Sequence, residues 1–215
     1  MTRHKRTTGQ ATGQVRIIGG EARGRKLTVL EQPGLRPTSD RVRETLFNWL
    51  QFDIAGKQCL DAFAGSGALG FEALSRGAAS VTFLEQSPSV VACLQANLIQ
   101  WQQAGLANGR SQVISTDTLQ WLQQSCSADQ AFDIIFVDPP FMQGLLAQTL
   151  ERLQSCGWMH AQTWLYLEQE KGQTWPSMPS HWYCHREKTT SQVSYSLWRQ
   201  DTEVTDSTHK EDHSI

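Results

Sequence analysis

Residues 133–141, Asp-Ile-Ile-Phe-Val-Asp-Pro-Pro-Phe, combine the residue types that can hold a flat ring bearing an amino group. The apolar run before Asp138 has the length of a buried strand, and the two prolines that follow cannot continue a hydrogen-bonded ladder. The predicted strand therefore ends in a carboxylate, rigid backbone carbonyl groups and the ring of Phe141. Carboxylate and carbonyl oxygens can accept the hydrogens of an amine while an aromatic ring stacks on the heterocycle. We expect Asp138, Pro139 and Phe141 to form the catalytic set.

A glycine-rich loop at residues 60–70, Leu-Asp-Ala-Phe-Ala-Gly-Ser-Gly-Ala-Leu-Gly, supplies a second candidate for chemistry. The spacing of Gly65, Gly67 and Gly70 matches the dinucleotide-binding fingerprint, and Glu85 lies twenty residues after Gly65. Taken alone, this pattern indicates a nicotinamide or flavin enzyme. A hexapeptide of this kind is weak evidence, because purely structural occurrences are common.

Asp61 favours a different cofactor. Its carboxylate follows the strand, where a pyrophosphate would lie against the helix N-terminus, and two anions at close range repel. S-adenosylmethionine carries an ammonium, a sulfonium and a ribose diol, and no phosphate. Glu85 suits the diol because a carboxylate accepts two hydroxyl hydrogens, and Asp117 is placed to receive the adenine amine. Helix capping is the alternative role for Asp61 and Asp117. The predicted cofactor-binding residues are Asp61, Phe63, Gly65, Gly67, Glu85 and Asp117.

The charge distribution is uneven along the chain. Residues 1–43 hold ten Lys or Arg against three Asp or Glu, whereas the remainder holds nine against eighteen. The basic front of the chain indicates contact with a polyanion, although a solvated basic tail gives the same pattern. Candidate nucleic-acid contacts are Arg16, Arg23, Arg25, Lys26, Arg36, Arg41 and Arg43. The last three could instead fold over the cofactor and the target base, and Arg41 could pair with Glu44 on one helix face.

The alternation of apolar segments predicts an α/β fold with a doubly wound, mostly parallel sheet. Strands are expected near 58–62, 81–85, 111–116, 132–137 and 162–168, and helices near 68–76, 88–103, 118–124 and 143–155. Residues 182–188 and 192–198 alternate as an antiparallel pair that completes a seven-stranded sheet. Before them, residues 15–30 alternate as a small hairpin, and Ser39 or Asp40 begins a helix. We divide the chain into a disordered tail (1–13), an RNA-binding hairpin and helix (14–52), a catalytic domain (53–200) and a second disordered tail (201–215).

Composition narrows the class of protein. No apolar run approaches the ~20 residues that span a bilayer, and the N-terminus lacks the apolar core of a signal peptide. Five isolated cysteines without paired spacing argue against both disulfides and a zinc site. These features favour a cytoplasmic protein without a metal. The eight tryptophans lie mostly at core-facing spacings and are predicted to pack the interior.

Several of these motifs carry a family resemblance. Residues 60–70, Glu85 and 138–141 resemble the motifs of class I, Rossmann-like, S-adenosylmethionine-dependent methyltransferases, and Asp-Pro-Pro-Phe resembles the signature of enzymes that methylate exocyclic amines of nucleobases. Residues 16–27 and 36–47 narrow the likeness to the bacterial 16S ribosomal RNA guanine-N2 methyltransferases of the RsmD type, over about residues 15–199. The resemblance implies methyl transfer to one guanine of 16S ribosomal RNA in the small (30S) subunit or its assembly intermediate. We expect a monomer, because the chain forms one domain and its sequence has no heptad repeats of a coiled coil.

Three other functions stay open on the sequence. Asp-Pro-Pro-Phe does not separate guanine from adenine, so an adenine-N6 DNA methyltransferase is an alternative, although no separate target-recognition domain is visible. A nicotinamide oxidoreductase is opposed by Asp61 and by the lack of hydride-transfer residues. A non-catalytic RNA-binding assembly factor is opposed by the presence of Asp61, Glu85 and Asp138 together.

Overall fold

The computed structural model describes residues 12–30, 38–141 and 143–201. Its strands are β1 (Thr12–Arg16), β2 (Lys26–Leu30), β3 (Gln58–Asp61), β4 (Ser80–Glu85), β5 (Gln112–Ser115), β6 (Phe132–Val137), β7 (Met159–Glu170), β8 (Trp182–Thr189) and β9 (Val193–Gln200). Its helices are α1 (Asp40–Trp49), α2 (Ala68–Ser75), α3 (Pro88–Gln103), α4 (Thr118–Leu122) and α5 (Leu145–Ser155), with one 3₁₀ turn at Ala128–Gln130. The predicted tails fall almost entirely outside the described residues, as does Arg36.

Seven strands form one sheet in the order β5-β4-β3-β6-β7-β9-β8. The first five pair in parallel, whereas β9 pairs antiparallel with both β7 and β8. The chain moves outward from β3 to β5 and then returns to the other side of β3 with β6. The carboxyl ends of β3 and β6 therefore flank the switch point, which is where open α/β sheets bind ligands. The predicted fold class is confirmed.

Helices cover both faces of the sheet, because each central strand is apolar on both sides. In β6, Ile134 and Phe136 belong to the core shared with α1, α2 and α3, whereas Ile135 and Val137 belong to the core shared with α4 and α5. This two-sided burial follows from the period of two in a strand. It fixes the end of β6 at the point where Asp138 begins the predicted catalytic set.

The N-terminal hairpin of β1 and β2 is docked onto the sheet domain through α2. Glu72 in α2 is fully buried and accepts hydrogen bonds from the backbone N–H groups of Ile18, at 3.0 Å, and Gly19, at 2.8 Å. Gly20 has a φ of 73° and lies so close to Ser75 that a Cβ atom would clash with the Ser75 carbonyl oxygen. The hairpin is therefore seated on α2 by backbone contacts that only small residues permit.

The helix that follows the hairpin matches its sequence signals. Ser39 is the N-cap of α1 and accepts a hydrogen bond from the Val42 N–H group at 3.3 Å, and the apolar residues Val42, Leu46 and Phe47 are buried. The hairpin itself begins at Thr12, two residues inside the predicted tail, because Thr12 and Gly13 pair with β2. Among the described residues, no helix is long and apolar enough to cross a membrane.

Candidate active site

A cleft of about 1300 Å³ opens at the carboxyl ends of the parallel strands. One half is formed by the ends of β3, β4 and β5, and it contains the glycine loop. The other half is formed by the residues after β6, the end of β7, the start of β9, and the turn between β8 and β9. The N-terminus of α1 covers both halves. The predicted catalytic residues and all the predicted cofactor residues except Gly67 therefore line one cavity.

The glycine loop turns sharply between β3 and α2. Gly67 is the N-cap of α2 with a φ of 73°, and Gly65 has a φ of 49°. Both positions require the left-handed backbone that glycine adopts without strain. Asp61 at the end of β3 is almost fully buried and accepts a hydrogen bond from the Gly70 N–H group at 3.0 Å. Its capping role is thus visible, and its predicted contact with a cationic cofactor stays a prediction.

Glu85 at the end of β4 shapes the same loop from the neighbouring strand. One of its carboxylate oxygens accepts a hydrogen bond from the Gly65 N–H group at 3.0 Å, and the other accepts one from Ser87 at 2.7 Å. Each carboxylate oxygen has further acceptor capacity. Because Glu85 is half-buried and lines the cleft, it can still receive the hydroxyl groups of a ribose.

Phe63 and Asp117 complete this half of the cleft. Phe63 is half-buried in the loop after β3, and its ring lines the cavity. Asp117 is the N-cap of α4, where it accepts a hydrogen bond from the Gln120 N–H group at 2.8 Å. Capping is therefore the role that the structure gives Asp117. A contact with an adenine amine stays a prediction.

The charge of this half distinguishes between cofactor classes. Among the described residues, the strand ends and the glycine loop contribute three acids to the lining, Asp61, Glu85 and Asp117, and neither Lys nor Arg; the cations of the cleft are Arg41 of α1 and Lys188 of β8. A pyrophosphate against the glycine loop would meet these carboxylates, which low-dielectric burial makes costly. An ammonium and a ribose diol would instead find acceptors. The residues present fit S-adenosylmethionine better than a dinucleotide.

The second half of the cleft contains the Asp-Pro-Pro-Phe segment. Asp138 follows β6 directly and is half-buried, and its Oδ2 atom accepts a hydrogen bond from the Thr38 hydroxyl at 3.0 Å. Pro139 is buried, whereas Phe141 is 38% exposed, and both line the cavity. An acceptor, a rigid backbone and an accessible ring thus lie together at one strand end.

Four side chains form a row across this half, and sequence reasoning identified only the first. Asp138 follows β6, Glu168 lies in β7 beside it, Tyr195 of β9 pairs with Glu168, and Lys188 of β8 pairs with Tyr195. All four line the cleft. The available signal for Glu168 was an acid at the end of an otherwise apolar strand, the same signal that indicated Asp61 and Glu85. Thr38, the partner of Asp138, had no signal, because its contact depends on the tertiary fold.

Burial raises the pKa of three acids in the cleft. The pKa of Asp61 rises to about 7, mainly through burial, while its hydrogen bond from Gly70 acts in the opposite direction. The pKa of Asp138 rises to about 6 through burial, opposed by the hydrogen bond from Thr38. The pKa of Glu168 rises to about 8 through burial and the neighbouring charge of Asp138. Such a cluster of perturbed acids in a cavity is typical of a functional site.

The basic residues separate into exposed and buried groups. Arg16, Arg23 and Lys26 are exposed on the hairpin, while Arg25 is half-buried with its guanidinium 5.8 Å from the ring centre of Trp101. Arg41 is exposed at the cleft and lines it. These five remain available to a nucleic acid.

The prediction of an RNA contact for Arg43 is wrong. Its side chain is fully buried, with Nη2 2.6 Å from Asp40 and Nη1 3.5 Å from Glu72. Nη2 also donates to the Arg16 carbonyl oxygen at 2.9 Å. A guanidinium enclosed in this way cannot reach a phosphate, so Arg43 joins α1 to the hairpin and to α2.

The site shows no sign of metal chemistry in its side chains. Within residues 12–30, 38–141 and 143–201, no group of three or more His, Cys, Asp or Glu side chains could hold an ion. The five cysteines are free thiols.

Comparison with known proteins finds matches over nearly the whole chain. The family model described as "Conserved hypothetical protein 95" matches residues 15–199. The Escherichia coli protein named "Ribosomal RNA small subunit methyltransferase D" is 46% identical over 93% of this chain and 96% of its own length. The Haemophilus influenzae protein of the same name is 46% identical over 89% and 97%. The solved structure of yhhF from Escherichia coli has a TM-score of 0.79 at 44% identity, covering 88% of this chain and 99% of that one.

Proposed function

Because the chain belongs to the RsmD-type family of methyltransferases, we propose that it transfers a methyl group from S-adenosylmethionine to the N2 amine of one guanine in 16S ribosomal RNA. The observation that carries this proposal is the position of Asp138 and Pro139 in the same cleft as the acidic glycine loop. One half of the cleft suits a cationic methyl donor without phosphates. The other half suits a planar ring that presents an amine.

The residues of the chain work by positioning. S-adenosylmethionine, when bound, supplies a methyl group on a sulfonium, which is already a good leaving group. Asp61, Glu85 and the glycine loop hold the donor, and alignment of two reactants can supply about 7–11 kcal/mol of a barrier. The protein must chiefly orient the acceptor.

The acceptor is the harder half of the reaction, because an aryl amine delocalises its lone pair into the ring. Asp138 and the Pro139 carbonyl accept the two amine hydrogens, which turns the nitrogen lone pair towards the donor. Phe141 stacks on the base at a gain of about 1–3 kcal/mol. These contacts offset part of the few kcal/mol that extrusion of a base from structured RNA costs.

We infer that the substrate is the small ribosomal subunit or its assembly intermediate, in the cytoplasm where subunits form. The basic hairpin supports a large polyanionic partner, since it carries exposed cations that are not part of the cleft lining. We infer that the enzyme acts as a monomer, because one chain supplies both halves of the cleft.

Methyl transfer from labelled S-adenosylmethionine tests the function directly. The protein is incubated with undermethylated small subunits, protein-free 16S RNA, and adenine-containing duplex DNA, and modified nucleosides are identified by mass spectrometry. We expect N2-methylguanosine at a single position of 16S RNA. N6-methyladenine in the DNA, or no transfer to any of these acceptors with the donor bound, would contradict the proposal.

Neutralising the hairpin is expected to weaken RNA binding while cofactor affinity is retained. Arg23, Arg25 and Lys26 are replaced together by glutamine, and RNA affinity is measured against salt concentration. Each lost phosphate contact lowers the slope of log affinity against log salt by about 0.7–0.9, so the slope should fall by about 2. The matched control replaces three exposed cations elsewhere, Arg110, Lys171 and Arg186. Equal slopes for the hairpin variant and the wild type would remove the hairpin from the interface.

A further inference from the structure

Glu168 is a buried acid in the acceptor half of the cleft that the positioning of the amine does not require. The residue is 4% exposed and lines the cavity. Its Oε2 atom accepts a hydrogen bond from the buried Tyr166 hydroxyl at 2.6 Å. A carboxyl group held in this way has one fixed oxygen and one oxygen free to face a ligand.

The sheet places Glu168 directly beside Asp138. Val137 pairs with Leu167 in the parallel register of β6 and β7, so the next residues, Asp138 and Glu168, are neighbours at adjoining strand ends. Asp138 and Glu168 lie two residues after Phe136 and Tyr166, so they point to the same face of the sheet as those two rings, whose centres are 6.3 Å apart. A ring whose amine is held by Asp138 therefore presents the adjacent atom of the same edge to Glu168.

The chemistry of that adjacent atom differs between purines. In guanine the 2-amino group lies beside N1–H, which is a donor, so two neighbouring carboxyl groups can accept from two neighbouring positions. In adenine the 6-amino group lies beside N1 with a lone pair, which would face an oxygen of ionised Glu168 without a hydrogen bond. When a buried acceptor faces another acceptor, its hydrogen-bonding capacity stays unsatisfied, and the free-energy cost is larger than that of losing the same hydrogen bond in water.

The side chains around Asp138 and Glu168 do not support a cation-binding role for this pair of acids. Asp138 and Glu168 lack the third ligand that a cation site needs within the described residues. The neighbouring charge of Asp138 also raises the pKa of Glu168, so the pair opposes its own ionisation. Two N–H donors from one base edge would stabilise the two carboxylates and so favour the ionised form of both acids.

We propose that Glu168 determines specificity by accepting the N1–H of the target guanine while Asp138 accepts its 2-amino group. The inference rests on the proposed function, and it goes further by assigning the recognition of the base to one residue. Tyr166 is a positioning residue, because its hydroxyl fixes the orientation of the Glu168 carboxyl group.

A purine that keeps the amine and lacks N1–H tests this role. The probe is 2,6-diaminopurine, which carries the same 2-amino group beside an unprotonated N1. It replaces the mapped target guanosine in 16S RNA assembled by splinted ligation, and the RNA is reconstituted into small subunits. Assayed at about pH 8.5, above the Glu168 pKa of about 8, wild-type protein should prefer guanine by about 100-fold in kcat/KM, as expected where a buried acceptor is left without a donor.

Glu168→Gln should reduce that preference to below about 10-fold or reverse it. The Tyr166 hydroxyl should hold the amide oxygen, so the amide NH₂ faces the cleft and donates to N1 of diaminopurine. Rising activity on the analogue with falling activity on guanine is a readout that general damage to the fold cannot produce. The matched control is Glu170→Gln, the same change in the same strand at a residue that does not line the cleft.

Two results would overturn the inference while the proposed function stands. One is a wild-type enzyme that methylates guanine at N2 and uses diaminopurine equally well, which needs no variant. The other is a Glu168→Gln enzyme whose preference equals that of the wild type, including an equal loss on both substrates. Failure of the wild type to methylate guanine in the subunit would instead refute the proposed function, and the inference with it.

Discussion

Replacing Asp138 with alanine is expected to lower kcat by about 100- to 1000-fold, with little change in the affinity for S-adenosylmethionine. The loss is comparable to that of one preorganised hydrogen-bonding group at a reacting atom. Asp138→Asn should keep more activity than Asp138→Ala, because the amide oxygen still accepts one amine hydrogen. Single-turnover methylation of small subunits gives the rate, and calorimetry gives the cofactor affinity.

The pH dependence separates the roles of these two variants. The pKa of Asp138 is raised to about 6 by burial, so protonation as the pH falls through that value removes its charge and turns one of its two acceptor oxygens into a donor. The wild-type rate should therefore decline below about pH 6, and Asp138→Asn should lose that decline. Asp129→Ala, which changes an exposed acid outside the cleft, is the control. Full activity in both Asp138 variants would show that the carboxyl group neither accepts from the amine nor takes its proton.

The grouping of Asp138, Pro139 and Phe141 in the cleft could be predicted because it is local. A strand, an acid, two prolines and a ring are consecutive in sequence, so their proximity needs no tertiary information. The same holds for the glycine loop, where backbone geometry is encoded by Gly65 and Gly67. Glu85 was found because parallel strands bring their carboxyl ends to one edge of the sheet, whichever residues pair.

Glu168 and Thr38 could not be placed, because their positions depend on long-range contacts. The position of Glu168 beside Asp138 depends on the register between β6 and β7. Thr38 donates a hydrogen bond to Asp138, which lies 100 positions later in the sequence. Arg43 was misassigned for a related reason. A count of basic residues treats every cation as exposed, whereas Arg43 lies on the buried side of α1 with Val42 and Phe47. An acid within the apolar helix α2, Glu72, was the signal that a buried cation would be needed.

Glu72→Ala is expected to lower the free energy of unfolding by about 3–5 kcal/mol, the usual result of breaking a buried ion pair by removing one partner. Glu72 and Arg43 are both completely buried, and Arg43 would be left with Asp40, whose side chain is 72% exposed. The variant also removes the partner of Arg76, 2.9 Å away. For a chain of 215 residues, this corresponds to a fall in Tm of about 10 °C.

The same substitution should release the hairpin before it unfolds the domain. The N–H groups of Ile18 and Gly19 lose their acceptor, so hydrogen exchange at these amides should accelerate more than exchange in β3 or β6. RNA affinity should then fall while S-adenosylmethionine still binds, because the glycine loop and Glu85 lie at the other end of α2. Glu44→Ala, an exposed acid on α1, is the control for denaturant and exchange measurements. A loss below about 1 kcal/mol, with unchanged exchange at Gly19, would mean that Glu72 does not couple the hairpin to the catalytic domain.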